Sequence, residues 1–253
     1  MTIQTPGRIC LFGEHQDYLA LPVIAMAISL FSTVKGVRRK GNEVIIHKPD
    51  LNETESFLIN DLTYTNSRDY FKSGIKVCIK EELKFSTGFE VEITSAIPIQ
   101  AGCSSSSSIM VGWITFLSQI ADYPVDWSPQ KIAELAYKAE VLEFKEPGGM
   151  MDQYSTALGG LIYLESEPEI AITSLNNMPG AFVLGDSQVK KDTHGNLQRC
   201  KISRVDIVQR MKDVNPEFSL QTIQYGELND YRKYLNSTEM ELLIGTVRNR
   251  DIL

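Results

Sequence analysis

Three short stretches hold side chains whose types and spacing could do chemistry. The first is TPGRICLFGEHQDY, from Thr5 to Tyr18, where Arg8, Glu14, His15 and Asp17 lie within ten residues of one another around a glycine. An ordinary charged turn would contain such residues too. Yet two carboxylates and an imidazole packed this closely suit a polyol, whose hydroxyls both donate and accept, and an arginine beside them is available for phosphate. The second is GCSSSSSIM, residues 102–110. A serine tract often reads as a solvated linker. This one is only five residues long and runs directly into the apolar segment Ile109–Ala121. A linker should not open a core helix. A glycine that admits close backbone approach, serine hydroxyls and the free N–H groups of a first helical turn would together cradle an anion, and the helix dipole would favour it. The tract is not a Walker A loop, because GxxxxGK[ST] is absent. The third is EPGGMMDQYSTALGG, from Glu146 to Gly160, in which Asp152 follows a Pro-Gly-Gly turn. A lone aspartate after a turn is more often a cap than a catalyst, so its case depends on the other two stretches.

The elements that must position these residues are mixed. Gly7–Phe12, Leu30–Arg38, Glu43–His47 and Phe89–Ser95 read as strands, the last alternating apolar and polar residues. Tyr70–Leu83 has a helical pattern, and Ile109–Ala121 is apolar nearly all round, as a buried helix should be. Ser128 is placed to cap a helix with Pro129 in its first position. Ile132, Leu135, Ala136, Ala139 and Leu142 then keep helical spacing, and the helix should end before Pro147-Gly148-Gly149. GGLIYLES and GAFVLGDS read as two further strands separated by a boundary around Ser174–Pro179. From Ser203 onward the chain reads as mostly helical. No repeat is present. Strands and helices without a regular βαβ rhythm indicate α+β rather than a doubly wound sheet.

Composition narrows the partners. The chain has 253 residues, 43% hydrophobic and 23% charged, with a net charge of −7. That suffices for a substantial core. An acidic chain without a basic cluster is a poor partner for nucleic acid. The longest apolar run, Leu19 to Phe31, is too short to span a bilayer and contains Pro22, so no membrane role is expected. The four cysteines are scattered without a CxxC pair, and the N-terminus lacks the pattern of a signal peptide. Both point to reduced thiols in a cytoplasmic protein.

Taken together and in this order, the three motifs resemble those of the GHMP kinase superfamily, most closely its galactokinase branch. PGRICLFGEHQDY is similar to the opening PGR…GEHxDY segment, IPIQAGCSSSSSIM to the glycine-serine phosphate loop, and GGMMDQ to the GIMDQ-type element of the sugar kinases. A weaker echo lies in residues 183–193. The resemblance implies a GHMP kinase fold, with an N-terminal half like ribosomal protein S5 domain 2 over residues 1–176 and the start of a ferredoxin-like half over 177–253. It implies ATP-dependent phosphorylation of a small-molecule hydroxyl, for this branch the anomeric hydroxyl of galactose or a related sugar, with ATP and Mg²⁺ as cofactors.

By that resemblance Asp152 would be the catalytic base, and Arg8 would stabilise the transferring phosphoryl group. Glu14, His15, Gln16, Asp17 and Gly149 would hold the sugar. Gln100, Ala101, Gly102, Cys103, Ser104, Ser105 and Ser106 would wrap the ATP phosphates. Ser106 would ligate Mg²⁺, with Glu140, twelve residues before the base, as second ligand. On a helical wheel Glu143 competes, lying nearer the centre of the apolar stripe. Two departures stand out. The branch's sugar-contacting tyrosine aligns with Gln198, and Cys10 replaces the usual asparagine. The family's third motif, a GAGxGG-type loop, is absent from these residues, so a fragment of low solubility and activity is expected. A mevalonate-type kinase and a catalytically silent sugar and ATP sensor remain open as alternatives.

Overall fold

The computed structural model describes residues 1–176, 180–185 and 193–253, with the side chains of 193, 194 and 196–199 outside the description. Among the described residues, seven strands form one sheet. Its spine is the 16-residue strand β2, Val23–Arg38. Strand β1, Thr2–Phe12, pairs with it antiparallel along nearly its whole length. The opposite edge is shared. Strand β5, Phe89–Ser95, takes residues 32–38, and strand β6, Leu161–Glu165, takes residues 23–26. Beyond β5 lie β3, Glu43–Lys48, and β4, Glu53–Leu58; beyond β6 lies β7, Ala171–Leu175. The β3–β5 pair is parallel and the other pairs are antiparallel. The apolar run from Leu19 thus feeds a strand two of whose three partner strands come from distant sequence, which explains its length beyond the predicted Leu30–Arg38.

Helices cover one face of this sheet. Helix α1 spans Tyr70–Lys80 and α2 spans Ser105–Ile120. The buried side chains of α2, among them Trp113, Phe116 and Leu117, meet Val34, Phe89, Val91 and Ile93 of the sheet. Trp113 stacks on Phe116 at 5.7 Å and donates its indole N–H to Phe71 O at 3.0 Å. Replacing such a fully buried aromatic with alanine costs about 3–5 kcal/mol. Gly112 lets α2 close on Thr5 and Val34, where a Cβ would sit about 3 Å from both.

Helix α3, Pro129–Tyr137, begins as predicted: Ser128 Oγ accepts from Lys131 N at 3.2 Å. It does not continue as an α-helix. Residues Lys138–Leu142 form a π-turn, with Glu143 N bonded to Lys138 O and Glu146 N to Val141 O. The extra residue shifts the phase of all that follows, so Leu142, expected on the apolar stripe, is 53% exposed. A further helix, α4, runs Met151–Leu158. Two C-terminal helices, α5 (Thr193–Val214) and α6 (Ser237–Arg250), enclose a second apolar cluster with Phe218, Leu220, Ile223 and Leu228. Leu21 belongs to that cluster, so the chain between β1 and β2 is packed against the C-terminal helices.

One expectation needs correction. Residues 180–185 of GAFVLGDS form no strand, and 186–187 fall outside the described residues. Ser174 lies inside β7, and residues 177–179 of the expected boundary fall outside the described residues. Strand β4 escaped the sequence reading because ETESFL carries charged and polar residues at an exposed sheet edge.

Candidate active site

A cavity of about 640 Å³ opens where the first motif, the serine loop and the start of α4 converge. Each wall has a local cause. After β1 the chain turns at Gly13 and enters a short 3-10 helix at Asp17–Leu19, which places Glu14, His15, Asp17 and Tyr18 on the lining. On the opposite wall, Gln100, Gly102 and Ser104 all have left-handed backbone angles (φ 58°, 80° and 57°). Alternation of this kind curls successive N–H groups toward one point, the arrangement of an anion nest.

The serines divide their work. Ser104 precedes the first turn of α2. Ser106 is exposed to the cavity. Ser107 and Ser108 are buried: Ser107 Oγ accepts from Gln153, and Ser108 Oγ donates to Thr5 O at 2.9 Å while Thr5 Oγ1 donates to Ser108 O at 2.7 Å. The tract is therefore a helix start clamped to β1, not a linker.

Asp152 sits in the first turn of α4 and is not its cap; Met150 occupies that position. Arg8, on β1, donates to Asp152 Oδ1 through Nε at 2.9 Å and Nη2 at 2.5 Å, and through Nη1 to Gly102 O at 2.8 Å. One guanidinium thus joins the anion loop to the carboxylate. Burial opposes the charge on Arg8, but Asp152 and Glu14 outweigh it and raise its pKa. Asp17 Oδ2 accepts from Met151 N at 3.1 Å, so the same helix start also holds the carboxylate of the loop after β1. Burial pushes the Asp17 pKa up to about 6, the charge of Asp152 adds to this, and the Met151 N–H works against it. Gly149 packs directly on Asp17; a Cβ there would overlap the carboxylate.

Ser106 Oγ donates to Glu140 Oε1 at 2.6 Å, and Gln153 Nε2 donates to Glu140 Oε2 at 2.7 Å. Burial raises the Glu140 pKa, while these two bonds oppose the shift. Glu143 is elsewhere: it accepts from Tyr64 Oη at 2.7 Å and pairs with Lys80 at 3.6 Å. The wheel that favoured Glu143 assumed a continuous α-helix, and the π-turn removes that premise.

Arg8, Glu14, His15, Asp17, Gly149, Asp152, Glu140 and all of residues 100–106 line the cavity. Gln16 does not. It is buried, with its amide toward Pro22 O on one side and Asn249 Nδ2 and Arg250 N of α6 on the other. It fastens the loop from behind instead of meeting a ligand. The side chain of Gln198 and most of the 183–193 echo lie outside the described residues. Sequence reasoning missed Gln153, which orients Glu140, and the outer wall formed by Lys48, Asp50, Arg68, Tyr70 and Glu146. Gln153 was visible within GGMMDQ, but nothing in the sequence named its partner.

Residues 69–160 match the GHMP kinases N terminal domain, and residues 1–36 match the galactokinase galactose-binding signature. This chain carries a GHMP kinase N-terminal domain. It is 35% identical over 171 residues to a galactokinase of Pyrococcus furiosus, covering 66% of this chain and 47% of that protein. It is 30% identical over 172 residues to a mevalonate kinase of Methanocaldococcus jannaschii, covering 66% and 54%. The fold of Lactococcus lactis galactokinase, solved in complex with galactose, superposes with a TM-score of 0.82 at 19% identity, covering 99% of this chain and 67% of that one. The chain spans about half the length of these curated relatives. Among the described residues, no helix is long and apolar enough to cross a membrane.

Proposed function

We propose that this chain carries the sugar-binding and phosphate-binding half of an ATP-dependent kinase that phosphorylates the anomeric hydroxyl of galactose or a related sugar. The observation that carries the proposal is the placement of Asp152: pinned by Arg8, between the Glu14–Asp17 loop and the serine loop. The galactose-binding signature over residues 1–36 covers that loop.

On this reading Glu14, His15 and Asp17 hold sugar hydroxyls and bring one of them to Asp152. Phosphoryl transfer depends mainly on positioning and on neutralising charge. Asp152 accepts the hydroxyl proton or orients the hydroxyl, and Arg8 offsets negative charge between the two substrates. The N–H groups of residues 100–106 face the phosphates. The Ser106 hydroxyl and the Glu140 carboxylate, 2.6 Å apart, are hard oxygen donors of the kind Mg²⁺ selects, and they would hold it with the phosphates completing the shell. A bound Mg²⁺ would neutralise phosphate charge there.

One finding favours a second reading. A mevalonate kinase is among the relatives at 30% identity. A coupled ADP-release assay across sugars and mevalonate-like alcohols separates the two. Turnover with galactose or another aldose supports the sugar kinase. Turnover with mevalonate-like alcohols alone overturns it.

A further inference from the structure

The loop that would cradle phosphate, Gln100–Ser106, contains no lysine or arginine. Backbone N–H groups alone are weak compensation for the dense charge of a polyphosphate. The permanently charged cations lining the cavity, among the described residues, are Arg8, Lys48 and Arg68. Arg8 is buried and committed to Asp152 and Gly102 O. Lys48, on β3, pairs with Glu53 at 3.0 Å and Glu55 at 3.4 Å of β4.

Arg68 differs. It lies just before α1, and its side chain is 46% exposed. It meets Glu146 as a fork, Nε to Oε1 at 2.7 Å and Nη2 to Oε2 at 3.1 Å. Glu146 lines the same cavity and directly precedes Pro147-Gly148-Gly149, the segment that packs on Asp17 and leads to Asp152. Ser106 and Glu140 line the same cavity as Arg68. The bridge therefore spans the cavity between the α1 side and the loop that leads into α4. Its acceptor is a carboxylate, and a phosphate presents the same two-oxygen edge with more charge.

We propose that Arg68 is a partner-exchanging phosphate ligand: it rests on Glu146 while the cavity is empty and passes to the nucleotide polyphosphate when the cavity fills, freeing Glu146 and the loop behind it. This rests on the serine loop being a phosphate cradle. The exchange trades one bidentate anion for another, so Glu146 acts as a competitor that sets nucleotide affinity. The two partners of the bridge then have opposite effects, whereas a merely structural bridge would make their losses alike.

Calorimetric titration with the Mg²⁺ complex of a non-hydrolysable ATP analogue reads this directly, with thermal melts on every variant. Arg68→Ala should weaken binding by about tenfold, the scale of a lost charge-assisted bond. Glu146→Gln should tighten it by roughly threefold, the scale of an exposed ion pair removed from competition. The swapped pair Arg68→Glu with Glu146→Arg should recover the melting temperature but not the affinity. Weaker or unchanged binding in Glu146→Gln, or affinity restored by the swap, overturns the exchange. Affinity lost in Ser106→Ala while both single variants bind as the wild type removes the exchange and leaves the cradle standing. Absence of nucleotide binding by the wild-type chain removes both.

Discussion

Arg8 places both of its bonds to Asp152 on one oxygen, Oδ1, and turns its remaining arm to Gly102 O in the serine loop. Oδ2 is left for another partner. The pairing fixes where the carboxylate points and couples it to the loop facing it. Replacing Asp152 with asparagine keeps the shape and removes the proton acceptor and its charge. The expected result is a fall in kcat of about 10²–10⁴-fold with nucleotide affinity unchanged. Wild-type turnover in the variant would remove Asp152 from the chemistry.

Gly149 tests the sugar side. Its missing side chain is what lets Asp17 reach the start of α4. Gly149→Ala should push the Asp17 carboxylate aside and lower kcat/KM for the sugar by up to about 10²-fold, as small misplacements do. Nucleotide binding should hold. An unchanged sugar KM would show that Asp17 does not touch the substrate.

Glu140 tests the metal side. Two donors, Ser106 Oγ and Gln153 Nε2, converge on its carboxylate. Glu140→Gln sets an NH₂ group against one of them and removes the charge. Titration should show Mg²⁺-dependent nucleotide binding weakened by tenfold or more, on the order of one charge-assisted bond, with sugar binding intact. Equal loss of both ligands would indicate collapse of the site.

Asp17 should give the protein a pH signature. Its folded pKa of about 6 lies above the ordinary value of about 3.9. A raised carboxyl pKa means that ionisation disfavours the fold. The group's contribution to stability is therefore complete below about pH 4 and is lost as pH rises through about 6. The charged carboxylate is also the stronger acceptor, so sugar affinity should rise over the same interval. Asp17→Asn should flatten both profiles. A wild-type affinity constant from pH 5 to 7 would contradict the assignment.

Gln16 couples the loop to α6. Gln16→Leu removes the acceptor shared by Asn249 Nδ2 and the Arg250 N–H, leaving Asn249 with Glu14 O at 3.3 Å, so stability should fall by about 1–3 kcal/mol. The sugar KM should rise while nucleotide binding stays as it was. Loss of stability with an unaltered sugar KM would confine Gln16 to the packing of α6.

The local signals in the sequence were strong where neighbours in the chain do the work. Ser128 and Pro129 start a helix because cap and ring act within four residues. Phe89–Ser95 alternates because one face of β5 is buried. The three motifs announced themselves because a cradle, a carboxylate loop and a turn before a helix are each short. The spacing of twelve between Glu140 and Asp152 pointed to the glutamate that meets Ser106, where the helical wheel pointed to Glu143.

What the sequence by itself determined is the inventory: which side chains can bind polyols, anions and a hard cation, and the family that their order resembles. What only the tertiary structure decided is which of them meet. Arg8 and Asp152 are 144 residues apart, Ser106 and Glu140 are 34 apart, and Arg68 and Glu146 are 78 apart. No periodicity encodes such pairs, because they follow from how β1, α2, the π-turn, α4 and the segments before α1 and α4 pack together. Gln16 shows the same limit from the other side. It stands in the middle of the first motif, yet the docking of α6 on that loop turns it inward, and a buried amide must satisfy the backbone and side-chain groups it finds there.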